Sequence, residues 1–203
     1  MAKVSTVTVS PVVNSQDITL PNYDRERLED VGYLTAMTLV MMGNYCQTGH
    51  FGGPLAYTPY MVASHLVGPE LGGLRYDYRR PKHPYGDKFM LAGGHNAPVS
   101  YALWMVLGES LHRKHKQTGD SRFYADPEQT LLSIDCLGFR RGSGGMKTIL
   151  SENGLEDHPA MVQAKIRGIR ALSGHSESTD VTNDVNGGPS GIGVATAAGK
   201  ATF

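Results

Sequence analysis

The chain has 203 residues, of which 40% are hydrophobic and 19% charged, as in an ordinary globular domain. Lysine plus arginine and aspartate plus glutamate number 19 each, so the formal net charge is zero. This balance gives no indication of a nucleic-acid partner or of attraction to an anionic membrane, so neither is expected.

Cysteine usage and hydropathy indicate a cytoplasmic protein. Cys46 and Cys136 lie outside any CxxC spacing and do not indicate a disulfide-rich secreted scaffold. The longest apolar stretch, 31–42, is interrupted by polar side chains and is shorter than the roughly 20 residues that a membrane span needs. The N-terminus also lacks the continuous apolar core of a signal peptide.

An extended arm is predicted over residues 1–20, before a domain that covers 21–203. Apolar side chains recur at helical spacing over 24–46, behind an acidic first turn, and predict a first helix that Gly49 would stop. Thr58 followed by proline is typical of a helix start and predicts a second helix to about Val67.

Three more helices are predicted further along the chain. Asn96 and the following Pro98 predict a helix to about Leu111, and Asp157 predicts another to about Leu172. Residues 191–203 predict a last helix, rich in small side chains and without a terminator. We therefore expect the fold to be incomplete at the C-terminus.

Two apolar runs predict buried strands. Residues 88–92 end in a pair of glycines, and residues 130–137 form a second candidate. Short strands that alternate with helices favour an α/β domain with a mainly parallel sheet flanked by helices.

Three histidines lie beside glycines near the start of a helix or a loop: His50, His95 and His175. Ligands of α/β folds bind at the ends of such elements, and imidazoles can relay protons near neutral pH. Any one histidine at a glycine turn is more often a surface or hydrogen-bonded residue, but three in the same setting favour a site. The other histidines are interpreted as packing or surface residues: His65, His83, His112, His115 and His158.

Four motifs, in order, resemble the transketolase family. Residues 49–54 read Gly-His-Phe-Gly-Gly-Pro, similar to the family's Gly-His-Pro-Gly-Gly. Residues 87–95 read Asp-Lys-Phe-Met-Leu-Ala-Gly-Gly-His, similar to Asp-Arg-Phe-Val-Leu-Ser-x-Gly-His. Residues 173–177 resemble Pro-Gly-His-Pro-Glu, and residues 187–193 resemble the glycine-rich turn before the next helix. The chain thus resembles the N-terminal part of the diphosphate-binding domain of a transketolase-like thiamine diphosphate enzyme.

The resemblance implies a role for each motif. The histidine that matches His95 would contact the cofactor diphosphate, whereas those that match His50 and His175 would be catalytic and face the reacting carbons. The remaining cofactor-binding residues would form the turn against the aminopyrimidine ring: Gly187, Gly188 and Pro189. The implied fold is the thiamine diphosphate-binding fold.

The implied reaction transfers a two-carbon ketol unit between sugar phosphates, with thiamine diphosphate and Mg²⁺ as cofactors. The family holds magnesium with Gly-Asp-Gly and a later Asn, and no Gly-Asp-Gly occurs in this sequence. Metal ligands are therefore expected outside this segment, and activity is expected only together with the metal-binding and pyrimidine-binding segments. The expected assembly is a homo-oligomer, such as a homodimer, or a complex with a chain that carries the rest of the enzyme.

Two alternatives remain open at this point. The order Gly-Gly-Pro-Ser-Gly at 187–191 and the long stretch at 112–156 are closer to the homodimeric 2-oxoacid dehydrogenase first component. In that case the substrate would be a 2-oxo acid, which the enzyme would decarboxylate. The second alternative is a non-catalytic remnant that keeps the fold as a structural or regulatory subunit.

Overall fold

Four α-helices supply most of the regular structure of residues 24–140 and 168–202, which this computed structural model describes. The helices are α1 (Arg25–Cys46), α2 (Gly52–Leu66), α3 (Ala97–Thr118) and α4 (Ile192–Thr202). Short 3₁₀ helices lie between them: Pro69–Leu71, Gly94–Asn96, Ser121–Phe123 and Ser133–Gly138. The predicted arm over 1–20 lies outside the described residues.

The first predicted helix is confirmed as α1, because its N-terminus has a strong cap. The Asp24 carboxylate accepts a hydrogen bond from the Arg27 amide at 3.0 Å and so satisfies one of the free amides of the first turn. The helix ends at Gln47, which has a left-handed φ of 52° and donates its amide to the Gly43 carbonyl. The stop therefore comes two residues before Gly49.

Helix α2 begins seven residues before its predicted first residue, Pro59, so the prediction of Thr58 as the cap is wrong. Pro54 stands in the first turn of α2, where a missing amide costs nothing, whereas Pro59 lies inside the helix. The Thr58 hydroxyl turns back and donates to the Pro54 carbonyl at 2.9 Å. Two prolines five residues apart both had the features of a helix start, and the sequence pattern selected the wrong one.

Helices α3 and α4 are confirmed where they were predicted to begin. Helix α3 continues past Leu111 to Thr118, where Gly119, at φ 67°, donates its amide to the His115 carbonyl and closes the last turn. The predicted helix from Asp157 lies outside the described residues up to 167. Residues 168–172 are described, and they are not helical.

The predicted α/β fold with a mainly parallel sheet is wrong for the described residues. Between 24 and 140 and from 168 to 202, strand pairing is limited to one parallel bridge that joins Phe139 and Leu172. Residues 88–92 take their hydrogen bonds from loops: the Phe89 amide donates to Asp184 at 3.4 Å, and the Ala92 carbonyl accepts from the Gly191 amide at 2.7 Å. The apolar pattern indicates that part of this run is buried. Loops supply hydrogen-bond partners for its backbone, so no sheet is needed.

The second strand candidate, 130–137, is mostly the 3₁₀ helix Ser133–Gly138. The buried Asp135 carboxylate bends the chain here, because it accepts hydrogen bonds from the amides of Leu132 at 2.9 Å and Arg170 at 3.1 Å. A carboxylate that pairs with nearby backbone amides competes with strand pairing for the same groups.

The core lies where α1, α2 and α3 pack on one another. Its largest fully buried side chains include Leu39 and Met42 of α1, Met61 of α2, and Tyr101 and Trp104 of α3. Each fully buried apolar side chain contributes about 1.5–3 kcal/mol of transfer free energy. This packing fixes the N-terminus of α3, which carries the second glycine–histidine motif. No helix in the described part of the chain is long and apolar enough to cross a membrane.

Candidate functional site

Three glycine-containing segments meet just before the N-terminus of α3. The Ser176 amide donates to the Gly94 carbonyl at 3.0 Å, and the Gly187 amide donates to the Ser176 carbonyl at 2.8 Å. A Cβ atom on Gly94 would lie 1.7 Å from the Gly187 carbonyl oxygen, so the two backbones touch with no room for a side chain. The second, third and fourth motifs of the sequence are therefore in direct backbone contact.

We call the meeting point of Gly94, Ser176 and Gly187 the junction. The first motif reaches it through His50. The rings of His50 and His95 lie edge to face, with their centroids 5.5 Å apart. His50 is exposed in the loop before α2, and His95 is half-buried in the turn before α3. The two motifs touch again at Gly53, where an added Cβ would lie 2.5 Å from the Asn96 side-chain oxygen.

That Asn96 oxygen is buried and accepts no hydrogen bond from the described residues. Asn96 stands at the predicted cap position of α3, but its side chain does not accept a capping bond. A buried acceptor without a donor is costly, and this one lies in the residue directly after His95.

His175 reaches the junction through its backbone. It is half-buried and stands between Gly174 and Ser176, the residue whose amide binds Gly94. Within the described ranges its ring makes no ring contact with His50 or His95. The structure therefore pairs two of the three predicted histidines by their rings and holds the third one residue away from their meeting point.

The glycine-rich turn attaches α4 to the end of segment 88–92. The Gly191 amide donates to the Ala92 carbonyl at 2.7 Å, and a Cβ on Gly193 would lie 2.1 Å from the Leu91 carbonyl oxygen. Gly188 faces open space, and Pro189 is exposed. Gly187 is thus packed in the junction, whereas its two neighbours in the predicted cofactor-binding turn are accessible from solvent.

Tyr101 and Asp180 lie in the same neighbourhood, and no sequence pattern indicated their contact. Tyr101 is fully buried on α3, and its hydroxyl donates to an Asp180 carboxylate oxygen at 2.5 Å. Asp180 also accepts from the Glu177 amide at 3.0 Å and from the Asn183 side-chain amide at 3.3 Å. Burial raises the pKa of Asp180, and these hydrogen bonds work against the rise. The bond ties α3 to the loop that follows His175.

Replacing Tyr101 by phenylalanine is expected to lower the free energy of unfolding by about 1–3 kcal/mol, because a buried carboxylate loses a donor. The pKa of Asp180 should rise further for the same reason. Urea unfolding of this variant and of Tyr85→Phe, in which an exposed ring loses its hydroxyl, measures the difference. Equal urea midpoints for the two variants would show that the Tyr101–Asp180 bond contributes nothing.

These residues suit the diphosphate end of thiamine diphosphate better than they suit its metal. His95 can donate to a phosphate oxygen, and the backbones of Gly94 and Gly187 meet without side chains beside them. In contrast, among residues 24–140 and 168–202 no group of three or more His, Cys, Asp or Glu side chains could hold a metal ion.

Short stretches of the chain are similar to curated transketolases. Transketolase-like protein 2 of Mus musculus is 46% identical over 35 residues, which are 17% of this chain and 6% of that protein. The transketolases of Homo sapiens and Pongo abelii are each 29% identical over 75 residues, which are 35% of this chain and 12% of theirs. No family model and no solved structure matches the chain. These alignments support a transketolase-like relationship over a small part of the relatives' length.

Proposed function

We propose that this chain is the N-terminal part of the diphosphate-binding domain of a thiamine diphosphate-dependent, transketolase-like transferase. Its reaction is the transfer of a two-carbon ketol unit between sugar phosphates, in an assembly that also carries the metal-binding and pyrimidine-binding segments. The observation that carries the proposal is the meeting of the glycine–histidine motifs before α3, where His50 faces His95 and Gly94 touches Gly187. The short similarities to transketolases support it.

We assign the residues of the junction different roles according to their positions. Bound thiamine diphosphate supplies the electron sink for breaking a carbon–carbon bond. The His95 imidazole donates a hydrogen bond to a diphosphate oxygen, and residues 187–189 offer backbone groups to the aminopyrimidine ring. His50 and His175 accept and return the protons of substrate hydroxyls near neutral pH.

The assembly that we propose is a homo-oligomer or a complex with a chain that carries the remaining segments. A formal net charge of zero favours association over a lone monomer. One face of α1 also exposes apolar side chains, which is uncommon for a helix that faces only water. They are Tyr33, Leu34, Met37, Val40 and Met41.

A second candidate is decarboxylation of a 2-oxo acid by a dehydrogenase first component. The order Gly-Gly-Pro-Ser-Gly at 187–191 favours it. The two reactions consume different substrates, so turnover assays with a ketose phosphate and with a 2-oxo acid distinguish them. Turnover of neither substrate, together with an absence of thiamine diphosphate binding, would support a structural or regulatory subunit.

Replacing His95 by alanine in the assembled enzyme is expected to weaken thiamine diphosphate binding about ten- to a hundredfold. The physical reason is the loss of a hydrogen bond to a charged oxygen, worth roughly 1.5–3 kcal/mol. His50→Ala and His175→Ala should instead lower turnover and leave cofactor affinity nearly unchanged. Calorimetric titration with thiamine diphosphate and Mg²⁺, followed by turnover assays, measures both quantities.

The matched control is His83→Ala, in the loop between α2 and α3. Among the described residues, the His83 ring accepts one long hydrogen bond, from the Tyr85 amide at 3.3 Å, and it lies beside the Tyr85 ring rather than at the junction. Cofactor affinity and turnover should stay at the wild-type level. If His95→Ala and His83→Ala gave the same cofactor affinity, the role of His95 would be wrong.

A further inference from the structure

The two residues that follow His175 have their backbone amides fixed by separate hydrogen bonds. The Ser176 amide donates to the Gly94 carbonyl at 3.0 Å, and the Glu177 amide donates to the Asp180 carboxylate at 3.0 Å. Because His175 directly precedes these two residues, both bonds hold the backbone that carries its imidazole.

A side-chain hydrogen bond closes the same turn. The Ser173 hydroxyl donates to a Glu177 carboxylate oxygen at 2.6 Å, across the three residues that lie between them. His175 is the middle one of the three. The turn 173–177 is therefore braced by its own side chains, and its place in the molecule depends on the groups that anchor its backbone.

One of these anchors, Asp180, is itself held by helix α3. The Tyr101 hydroxyl donates at 2.5 Å to Asp180 Oδ2, the same oxygen that accepts from the Glu177 amide. Tyr101 is fully buried, and its ring packs beside that of Phe139, with the centroids 6.3 Å apart. A side chain in a close-packed core has little freedom to move, so the hydroxyl is a fixed point for the carboxylate.

The other anchor, Gly94, leads to the same helix. Gly94 directly precedes His95 in the short turn before α3, and Tyr101 stands in the early turns of α3, whose residues 97–106 are all buried. Both anchors of the turn 173–177 thus belong to one rigid part of the fold. This arrangement holds the backbone of His175 at a fixed place relative to His95.

We propose that Tyr101 is a positioning residue for His175: through the Asp180 carboxylate it holds the turn 173–177 against α3 and so sets where the His175 imidazole stands relative to His95. The inference rests on the proposed function, in which His175 exchanges protons with the substrate. Tyr101 is fully buried, so its effect on turnover passes through Asp180 and not through contact with the substrate. A misplacement of a reacting group by 1 Å can lower a rate by about a hundredfold, which makes such support effective.

The first test measures kcat, KM and the dissociation constant of thiamine diphosphate in the assembled enzyme, with fructose 6-phosphate as ketol donor and ribose 5-phosphate as acceptor. Tyr101→Phe removes the hydroxyl alone and should lower kcat about tenfold, whereas both KM values and the cofactor dissociation constant should stay within about twofold. Tyr85→Phe is the matched control, because it removes the same hydroxyl from a ring that is 84% exposed, and it should keep the wild-type values.

Double variants separate positioning from a general loss of structure. If Tyr101 acts through His175, Tyr101→Phe should lower kcat no further once His175 has been replaced by alanine. In a His50→Ala background it should still lower kcat about tenfold, because the two changes then act on different groups. A loss of folded protein would instead lower kcat by the same factor in both backgrounds.

Asp180 offers a conservative variant for the same link. Asparagine keeps an oxygen that can accept from Tyr101 and Glu177, whereas alanine keeps none. Asp180→Asn should therefore retain a kcat closer to that of the wild type, and Asp180→Ala should lose at least as much as Tyr101→Phe.

Three results would overturn the inference: an unchanged kcat in Tyr101→Phe, equal further losses in the His175→Ala and His50→Ala backgrounds, and equal kcat values for Asp180→Asn and Asp180→Ala. A wild-type kcat in His175→Ala would contradict the proposed role of His175, and the inference would fail with it. A low kcat in His175→Ala beside an unchanged kcat in Tyr101→Phe would contradict only the positioning role and leave the proposed function standing.

Discussion

Gly94→Ala is expected to lower the free energy of unfolding by about 2–5 kcal/mol. The new Cβ would lie 1.7 Å from the carbonyl oxygen and 2.3 Å from the carbonyl carbon of Gly187, and neither atom belongs to a side chain that can rotate away. The backbones would have to separate, which strains the packing by about 1–3 kcal/mol. The separation would also weaken the bonds from Ser176 to Gly94 and from Gly187 to Ser176, each worth about 1 kcal/mol.

Gly188→Ala is the matched control for this variant, because it adds the same methyl group one residue beyond the contact. A Cβ on Gly188 meets no atom within 4 Å, and the residue does not have a positive φ. Its free energy of unfolding should stay within about 0.5 kcal/mol of the wild type. Urea denaturation monitored by the fluorescence of Trp104 measures both variants. Equal midpoints for Gly94→Ala and Gly188→Ala would mean that Gly94 and Gly187 do not touch.

Helices with strong local signals could be predicted from the sequence. The cap at Asp24 and the start of α3 after Asn96 depend on neighbouring residues, so a short window of sequence contains the necessary information. The predicted start of α2 was wrong because Pro54 and Pro59 both fit the first turn of a helix. The choice between them depends on the packing of α2 against α1 and α3, which is a tertiary property.

The absence of a sheet in the described residues could not be predicted from the sequence. An apolar run indicates burial, but it does not show which segment forms hydrogen bonds with its backbone. Residues 88–92 are followed by two glycines, which is typical of a buried strand. Their backbone partners are Asp184 and Gly191, about 95 and 100 residues along the chain, in loops that carry no strand pattern. A short apolar run therefore predicts burial, whereas its secondary structure depends on distant segments of the chain.

The candidate site was predicted in part. Motif order grouped His50, His95 and His175, and in the structure the rings of His50 and His95 lie side by side. The chemical roles of His50, His95 and His175 stay predictions. The bond from Tyr101 to Asp180 had no local signal in the sequence, because the two residues are 79 positions apart.

The protein is expected to lose roughly 3 kcal/mol of stability between pH 6.5 and about pH 4 because of His65. This α2 residue is only 3% exposed, and its ring lies among those of Tyr76, Phe89 and Trp104 at centroid distances of 4.8–5.5 Å. Its Nδ1 atom bonds the Met61 carbonyl at 2.8 Å, whereas its Nε2 atom has no partner among the described residues. Burial lowers the pKa of His65 from 6.5 to about 4, because the charged ring would lose its water.

The sign of the pH dependence follows from which state binds the proton. Below pH 6.5 the unfolded chain protonates His65, whereas the folded chain does not do so until about pH 4. The unfolded state therefore binds more protons in this window, and the free energy of unfolding falls as the pH falls. The gap between the two pKa values corresponds to roughly 3 kcal/mol. The stability that depends on a neutral His65 is fully present above pH 6.5.

Urea unfolding of the wild type and of His65→Leu at several pH values from 7 to 4.5 isolates this effect. Leucine fills a similar volume and does not titrate, so the variant should lose much less stability over the same range. The raised pKa of Asp180 acts in the opposite direction, since its folded carboxyl gains a proton more readily than the unfolded one, but it is common to both proteins and cancels in their difference. His112→Leu, at an exposed position of α3, should keep the wild-type pH dependence. Parallel losses in the wild type and His65→Leu would show that the buried imidazole is not the group that titrates.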